Sequence, residues 1–211
     1  MSYLVPIILV VLYFNGISSE PLQTVNGKID LLFGTTAGCP RIPDFMKDHM
    51  IPTYAKYKQF LNIQFVPWGR TTRNTDGSLF CRLGEADCWA NRVQRCVISL
   101  LPNNLDAQVE YMSCEFTTFS ALHQKNLFCA QSVGLNLVDV DYCVSTTGDA
   151  LEGPAELVST PAIQIINSLP FIVLNNNIDV AQHRQAFLRL ESTICFALAA
   201  DNSTGITHCK L

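Results

Sequence analysis

Lys28-Ile29-Asp30-Leu31-Leu32-Phe33 is a short, largely apolar run closed by Gly34-Thr35-Thr36-Ala37-Gly38. A run of that length bounded by small residues predicts a buried strand that ends in a loop. From Asp44 the period changes. Phe45, Met46, His49, Met50, Tyr54, Tyr57 and Leu61 recur at helical spacing, and Pro52 interrupts them, so a helix with a kink or break at Pro52 is expected. Asn62 to Trp68 alternates and is rich in β-formers, which predicts a second strand stopping at Gly69. Residues 69–80 are polar and contain the turn signal Asp76-Gly77. Helical spacing returns around Val93, Val97 and Leu101, and again around Met112, Phe116 and Phe119. After Gly148 a mixed stretch leads to Leu169-Pro170-Phe171-Ile172-Val173-Leu174, a strand delivered into Asn175-Asn176-Asn177, for which a hairpin is expected. Asp179 can cap a closing helix with Val180, Phe187, Leu188, Ile194 and Leu198 on its apolar face and Arg184 and Arg189 outside.

A strand-helix-strand half, a helical insertion and a closing hairpin-plus-helix half give an α/β (α+β) chain in a thioredoxin-like arrangement. The core is expected over about residues 27–69 and 160–200, with the disulfide-rich helical insertion over about 81–150. Ahead of it, Leu4 to Phe14 is almost wholly apolar and is followed by Ser18 and Ser19. The run falls short of the roughly 20 residues that cross a bilayer and ends in small residues, so residues 1–19 read as a signal peptide. The usual basic residue before the apolar run is missing; the competing reading is a buried N-terminal segment. Residues 20–211 then form one domain, and no later segment is apolar enough to span a membrane.

With 14 basic and 18 acidic residues and a net charge of -4, the chain lacks the basic footprint that binds phosphate backbones, so nucleic acid is excluded as a partner class. His49, His123, His183 and His208 are scattered and no cysteine-histidine spacing suits zinc, so no metal is expected. His49 lies close enough in sequence to tune Cys39, though a solvent-facing or capping role competes with that.

All nine cysteines follow the leader, which places them in an oxidising compartment. Cys81, Cys88, Cys96, Cys114, Cys129, Cys143, Cys195 and Cys209 are the disulfide candidates, and spacing alone does not assign their partners. Asn202-Ser203-Thr204 fits a glycosylation acceptor, so Asn202 is expected to carry a glycan in a secreted or lysosomal protein. Cys39 stands after the first strand and before the first helix, where orphan amides and the helix dipole favour a thiolate. The competing reading makes it merely the odd cysteine, buried or bridged to another chain. Pro40 stiffens the start of the helix, and Leu169-Pro170 is the expected substrate-binding backbone, because thioredoxin-like folds open the strand facing the reactive cysteine with a cis-proline; the competing reading is an ordinary trans proline ahead of a strand.

One segment carries a specific likeness. Cys81-Arg82-Leu83-Gly84-Glu85-Ala86-Asp87-Cys88-Trp89-Ala90-Asn91, running on to Cys96, resembles the signature C-Q-H-G-x-x-E-C-x-x-N-x-x-x-x-C of the gamma-interferon-inducible lysosomal thiol reductases. Cys81, Gly84, Cys88, Asn91 and Cys96 match in register, whereas Arg82, Leu83 and Asp87 stand where the family has Gln, His and Glu. Read on their own, these residues serve disulfides and capping rather than catalysis. The resemblance runs from about residue 28 to 209 and includes Cys39-Pro40, Val66-Pro67-Trp68-Gly69 and Leu169-Pro170-Phe171.

It implies a thiol-disulfide oxidoreductase of the secretory pathway, lysosomal or extracellular, acting on disulfide-containing proteins with Cys39 as nucleophile. The departure is at the redox site. The family's C-x-x-C is here Cys39-Pro40-Arg41-Ile42, so the resolving sulfur is gone; a shifted register, with Thr36 in place of the first cysteine, also loses one thiol. Two readings follow. One is a monothiol enzyme with no bound cofactor, whose adduct is resolved by an external thiol such as glutathione or cysteine. The other is a redox-silent member that holds extended polypeptide without turnover.

Overall fold

The computed structural model describes residues 21–118 and 121–209, so the leader assigned to residues 1–19 lies outside the described residues. Strand β1 (Ile29–Thr35) is the centre of a three-stranded sheet. It pairs in parallel with β2 (Leu61–Pro67) and antiparallel with β5 (Phe171–Leu174). Ile29, Leu31 and Phe33 alternate inward from β1, as the apolar run demands. Full burial of each such side chain contributes roughly 1.5–3 kcal/mol.

Between β1 and β2 the chain is one continuous helical passage. An α-helical turn, α1 (Arg41–Phe45), runs into a π-helical stretch, Met46–Met50, and then into α2 (Ile51–Tyr57). The helix therefore begins before Asp44, and its irregularity precedes Pro52. Pro52 sits in the first turn of α2, where the π-stretch replaces the expected break.

A small antiparallel pair, β3 (Thr71–Arg73) and β4 (Leu79–Cys81), folds over Asp76-Gly77 and leads into the helical module. The module comprises α3 (Glu85–Leu100), α4 (Leu105–Thr117), α5 (Ala121–Gln124), α6 (Phe128–Ser132) and α7 (Leu137–Ser145). Helix α8 (Glu152–Ile166) fills the stretch that the sequence pattern leaves unassigned.

The hairpin expected after β5 is absent. Asn175 and Asn176 do adopt positive φ, but only a single bridge, Leu174 to Asn177, follows before Asp179 caps α9 (Val180–Ala199). The face of α9 is shifted only in its first half: Val180 and Leu188 are exposed while His183, Ala186 and Leu190 are buried, and Ile194 and Leu198 lie inside as expected. A non-helical residue, Arg189, separates the two halves of this helix, so a single periodic face does not run through it.

The sheet is covered on both faces. On one, Phe33 stacks on Phe45 at 5.3 Å and Phe45 on Phe187 of α9 at 5.5 Å. On the other, Leu32 and Val66 meet Ala155 and Val158 of α8. This is a thioredoxin-like α/β fold, and no helix among the described residues is long and apolar enough to cross a membrane.

The eight candidate cysteines form four bridges: Cys81–Cys88, Cys96–Cys143, Cys114–Cys129 and Cys195–Cys209. Cys96–Cys143, with a sequence separation of 47, ties α3 to α7. A loop of that size restricts the unfolded chain by about 4 kcal/mol on the chain-entropy model.

Candidate functional site

Cys39 is the free cysteine of the chain. It stands in the loop between β1 and the helix, with its amide bonded to Thr36 O at 3.2 Å and its carbonyl accepting from Ile42 N at 3.3 Å. The residue is only 9 % exposed, so the sulfur is recessed rather than displayed. It is neither bridged nor sealed: it lines a cavity of about 200 Å³ together with Pro40, Leu169, Thr36 and Asp87. Its Sγ lies 3.8 Å from the carbonyl oxygen of Leu169. The Leu169–Pro170 bond is cis, and the β1–β5 ladder starts only at Phe171, so the backbone of Leu169 lies beyond the paired strand. Pro40 and Leu169 are thereby gathered around the thiol, whereas Pro170 is buried and is not part of the cavity lining.

Ile42 is fully buried in the core. Three residues after Cys39 the chain therefore presents an aliphatic side chain without redox chemistry. Thr36 is engaged elsewhere: its Oγ1 donates to Asp87 Oδ2 at 2.7 Å and accepts from Asn91 Nδ2 at 3.0 Å. The thiol at the head of the helix thus faces Leu169, with Ile42 buried three residues on and Thr36 turned toward α3.

The loop before Cys39 is held from α3. Asp87 Oδ1 accepts from Gly38 N at 2.8 Å, and Asn91 Oδ1 accepts from Ala37 N at 2.9 Å. Both side chains are almost wholly buried. They sit one helical turn apart on one face, so α3 presents two acceptors to two successive amides. The sequence reading assigned this segment to disulfides and capping, with Asp87 as a departure from the signature. In the structure Asp87 and Asn91 position the reactive loop, and a polar pair at that spacing within an otherwise buried face was the available signal.

Backbone room is equally specific. Gly69 has φ +64°, and a Cβ there would come within 2.5 Å of the Thr36 side chain. Gly34 lies beneath the Phe171 ring, where a Cβ would overlap the ring carbons at 2.0 Å. The end of β2 is fixed by Arg95, which donates to Pro67 O at 2.7 Å and lies over the Trp68 ring. Burial pushes its guanidinium down to about 10, against the pull of Glu152. Behind β5, His183 Nδ1 accepts from Ile172 N at 3.2 Å; burial, with Arg41 and Arg184 nearby, lowers its pKa. His49 packs on Phe45 and lines a different hollow, not the Cys39 cavity.

Three arginines that sequence reasoning did not place at the site also line the cavity: Arg41, Arg70 and Arg82. They lie far apart in sequence and meet only through the fold. The exposed Asn202 occupies a short 3-10 turn remote in sequence from this site. Among the described residues, no group of three or more histidines, cysteines and acidic residues is placed to hold a metal ion.

The family model described as "Gamma interferon inducible lysosomal thiol reductase (GILT)" matches residues 30–133. "GILT-like protein 1" of Drosophila melanogaster is 26% identical over 186 residues, covering 77% of this chain and 72% of that protein. The "Gamma-interferon-inducible lysosomal thiol reductase-like protein" of Anopheles gambiae is 28% identical over 87 residues, and the match spans 36% of each. Among solved structures, the reduced disulfide bond oxidoreductase DsbG of Mycobacterium tuberculosis superposes with a TM-score of 0.54 at 13% identity, covering 90% of this chain and 92% of that one. That likeness is one of fold.

Proposed function

Because the chain belongs to the gamma-interferon-inducible lysosomal thiol reductase family, we propose that it is a thiol-disulfide oxidoreductase that acts on protein disulfides through Cys39 alone. The observation that carries this reading is the free sulfur at the head of the helix, in a cavity against the Leu169 carbonyl, with Ile42 where a second sulfur would be.

The electron balance is closed by an external thiol. The Cys39 thiolate attacks one sulfur of the substrate disulfide, the S–S bond breaks, and the other substrate sulfur leaves as a thiolate and takes a proton from solvent. An external thiolate, glutathione or free cysteine, then attacks the Cys39 sulfur and expels the second substrate thiol. A second external thiolate frees Cys39 and forms the external disulfide. Overall one substrate disulfide is reduced and two external thiols are oxidised.

The four bridges and the exposed Asn202 support residence in the secretory pathway, in lysosomes or outside the cell, with Asn202 glycosylated. Reduction of insulin with glutathione supplied tests the activity. Wild type is expected to exceed both the uncatalysed rate and Cys39→Ser, and equal rates would remove Cys39 from the reaction.

The second reading, a member that binds extended polypeptide without turnover, draws on the same loss at Ile42. Rapid alkylation of cells separates the two, because an enzyme leaves mixed disulfides on Cys39 and a silent binder leaves none.

A further inference from the structure

Among the described residues, Arg41, Arg70 and Arg82 face the Cys39 cavity with neutral partners or none. Arg41 donates to Ser168 Oγ at 3.2 Å and lies 5.7 Å from the centre of the Phe187 ring. Arg70 donates to Asn167 through its carbonyl at 2.9 Å and its side-chain oxygen at 2.8 Å. Arg82 is exposed within the loop closed by the Cys81–Cys88 bridge, which holds it and Leu83 over the cavity. Among the described residues none of the three guanidiniums has a carboxylate within ion-pairing distance.

The cavity has one carboxylate, Asp87, and its oxygens are taken by Thr36 and Gly38. In a chain of net charge -4, the mouth of the reactive site is therefore locally cationic. Clustered uncompensated charge at the rim of a cleft raises the local concentration of oppositely charged partners and speeds their association.

Arg70 and Arg82 also line a second hollow of about 730 Å³ between β3, β4 and α8, so the two cavities adjoin at these side chains. Its acidic lining residue, Glu156, is bound to Arg73, and Phe80 is 58 % exposed at its edge. That volume is several times what a single side chain fills, which leaves room beside these arginines for residues flanking a half-cystine.

Resting on the functional reading above, we propose that this rim is an acid-selecting subsite. It favours polypeptide disulfides whose half-cystine is flanked by aspartate or glutamate, with Arg41, Arg70 and Arg82 meeting the flanking carboxylates. Arginine suits this role because its planar fork takes a carboxylate bidentately.

The test uses three synthetic peptides of equal length, each with one cysteine activated as a neutral 2-pyridyl disulfide and flanked by Asp-Glu, Ser-Gly or Lys-Lys. Release of the thione by the whole protein is followed by absorbance, with Cys39→Ser as the blank. The expected order is acidic, neutral, basic, with an acidic-to-basic ratio of about tenfold or more at low salt. The ratio should collapse toward one near 1 M salt, where screening acts within about 3 Å. In Arg82→Glu the preference should shrink or invert. The wild-type salt series stands without any variant, so a variant that fails to fold does not spare the proposal. Equal Cys39-dependent rates for all three peptides overturn the acid-selecting rim and leave the thiol chemistry intact. No Cys39-dependent release from any peptide overturns the functional reading, and the subsite with it.

Discussion

The carboxylate of Asp87 accepts the amide of Gly38 at 2.8 Å, so a helix 49 positions along the chain fixes the residue next to the reactive thiol. The same side chain accepts from Thr36, and Asn91 accepts from Ala37 between them. A loop whose amides are claimed in this way holds its sulfur in one place before any substrate arrives.

Replacing Asp87 by Ala should therefore loosen the site and the fold together. Hydrogen bonds to a charged acceptor are worth about 1.5–3 kcal/mol, and a loss of that order is expected in denaturant melts. Alkylation of Cys39 should also change rate, because the loop that recesses the sulfur is no longer held. Asn91→Ala strands the buried Ala37 amide and should cost about 1–3 kcal/mol. Unchanged stability and unchanged alkylation in both variants would remove the clamp from the account.

Much of this architecture was legible in the sequence, for physical reasons that differ by element. β1 and β2 announce themselves because Ile29, Leu31 and Phe33, and then Ile63 and Phe65, alternate between loops rich in small residues. Helix α8 was hidden because Gly153, Pro154 and Pro161 read as breakers; Pro154 lies in the first turn, where no amide bond is lost. The hairpin was expected from Asn175-Asn176-Asn177, whose turn geometry is real. Its residues are used otherwise: Asn175 accepts from Asp30 N and donates to Gln23 O, and the chain then goes directly into the Asp179 cap. Cys39 was visible as a chemical residue in a telling place, whereas the arginine rim was not, since nothing local connects positions 41, 70 and 82.

Gly69→Ala places a Cβ where the left-handed backbone disfavours it and where Thr36 already stands at 2.5 Å. A cost of about 1–3 kcal/mol is expected, read as a lowered midpoint in thermal melts. A normal midpoint would mean that Thr36 moves aside freely, contrary to its engagement by Asp87 and Asn91.

The pH response follows from His183. Its folded pKa is lowered from 6.5, chiefly by burial. Between the ordinary value and the lower folded one, the unfolded chain binds the proton that the folded chain refuses. Stability therefore rises with pH through that window and is lost as pH falls through it. Protonation would also forfeit the Nδ1 acceptor that Ile172 N uses behind the Leu169–Pro170 turn. His183→Gln, which cannot titrate, should show a shallower fall in midpoint on acidification; a wild-type slope in the variant would assign the acid sensitivity to other groups.

Ile42→Cys should return the missing step. The new sulfur would stand in the first helical turn, three residues from Cys39, and a loss of about 1 kcal/mol is expected from trimming a core side chain. Adducts on Cys39 should then resolve without added thiol, leaving an oxidised chain lighter by two hydrogens. Adducts as persistent as in the wild type would show that the helix does not bring the two sulfurs together.

The most direct measurement of a lone working thiol is the intact mass of the protein after exposure to oxidised glutathione and rapid acid quenching. The account predicts one glutathione adduct on the wild type, mapped to Cys39, absent from Cys39→Ser, stable on standing and removed by fresh reduced thiol. No adduct, or one that disappears without added thiol, would contradict it.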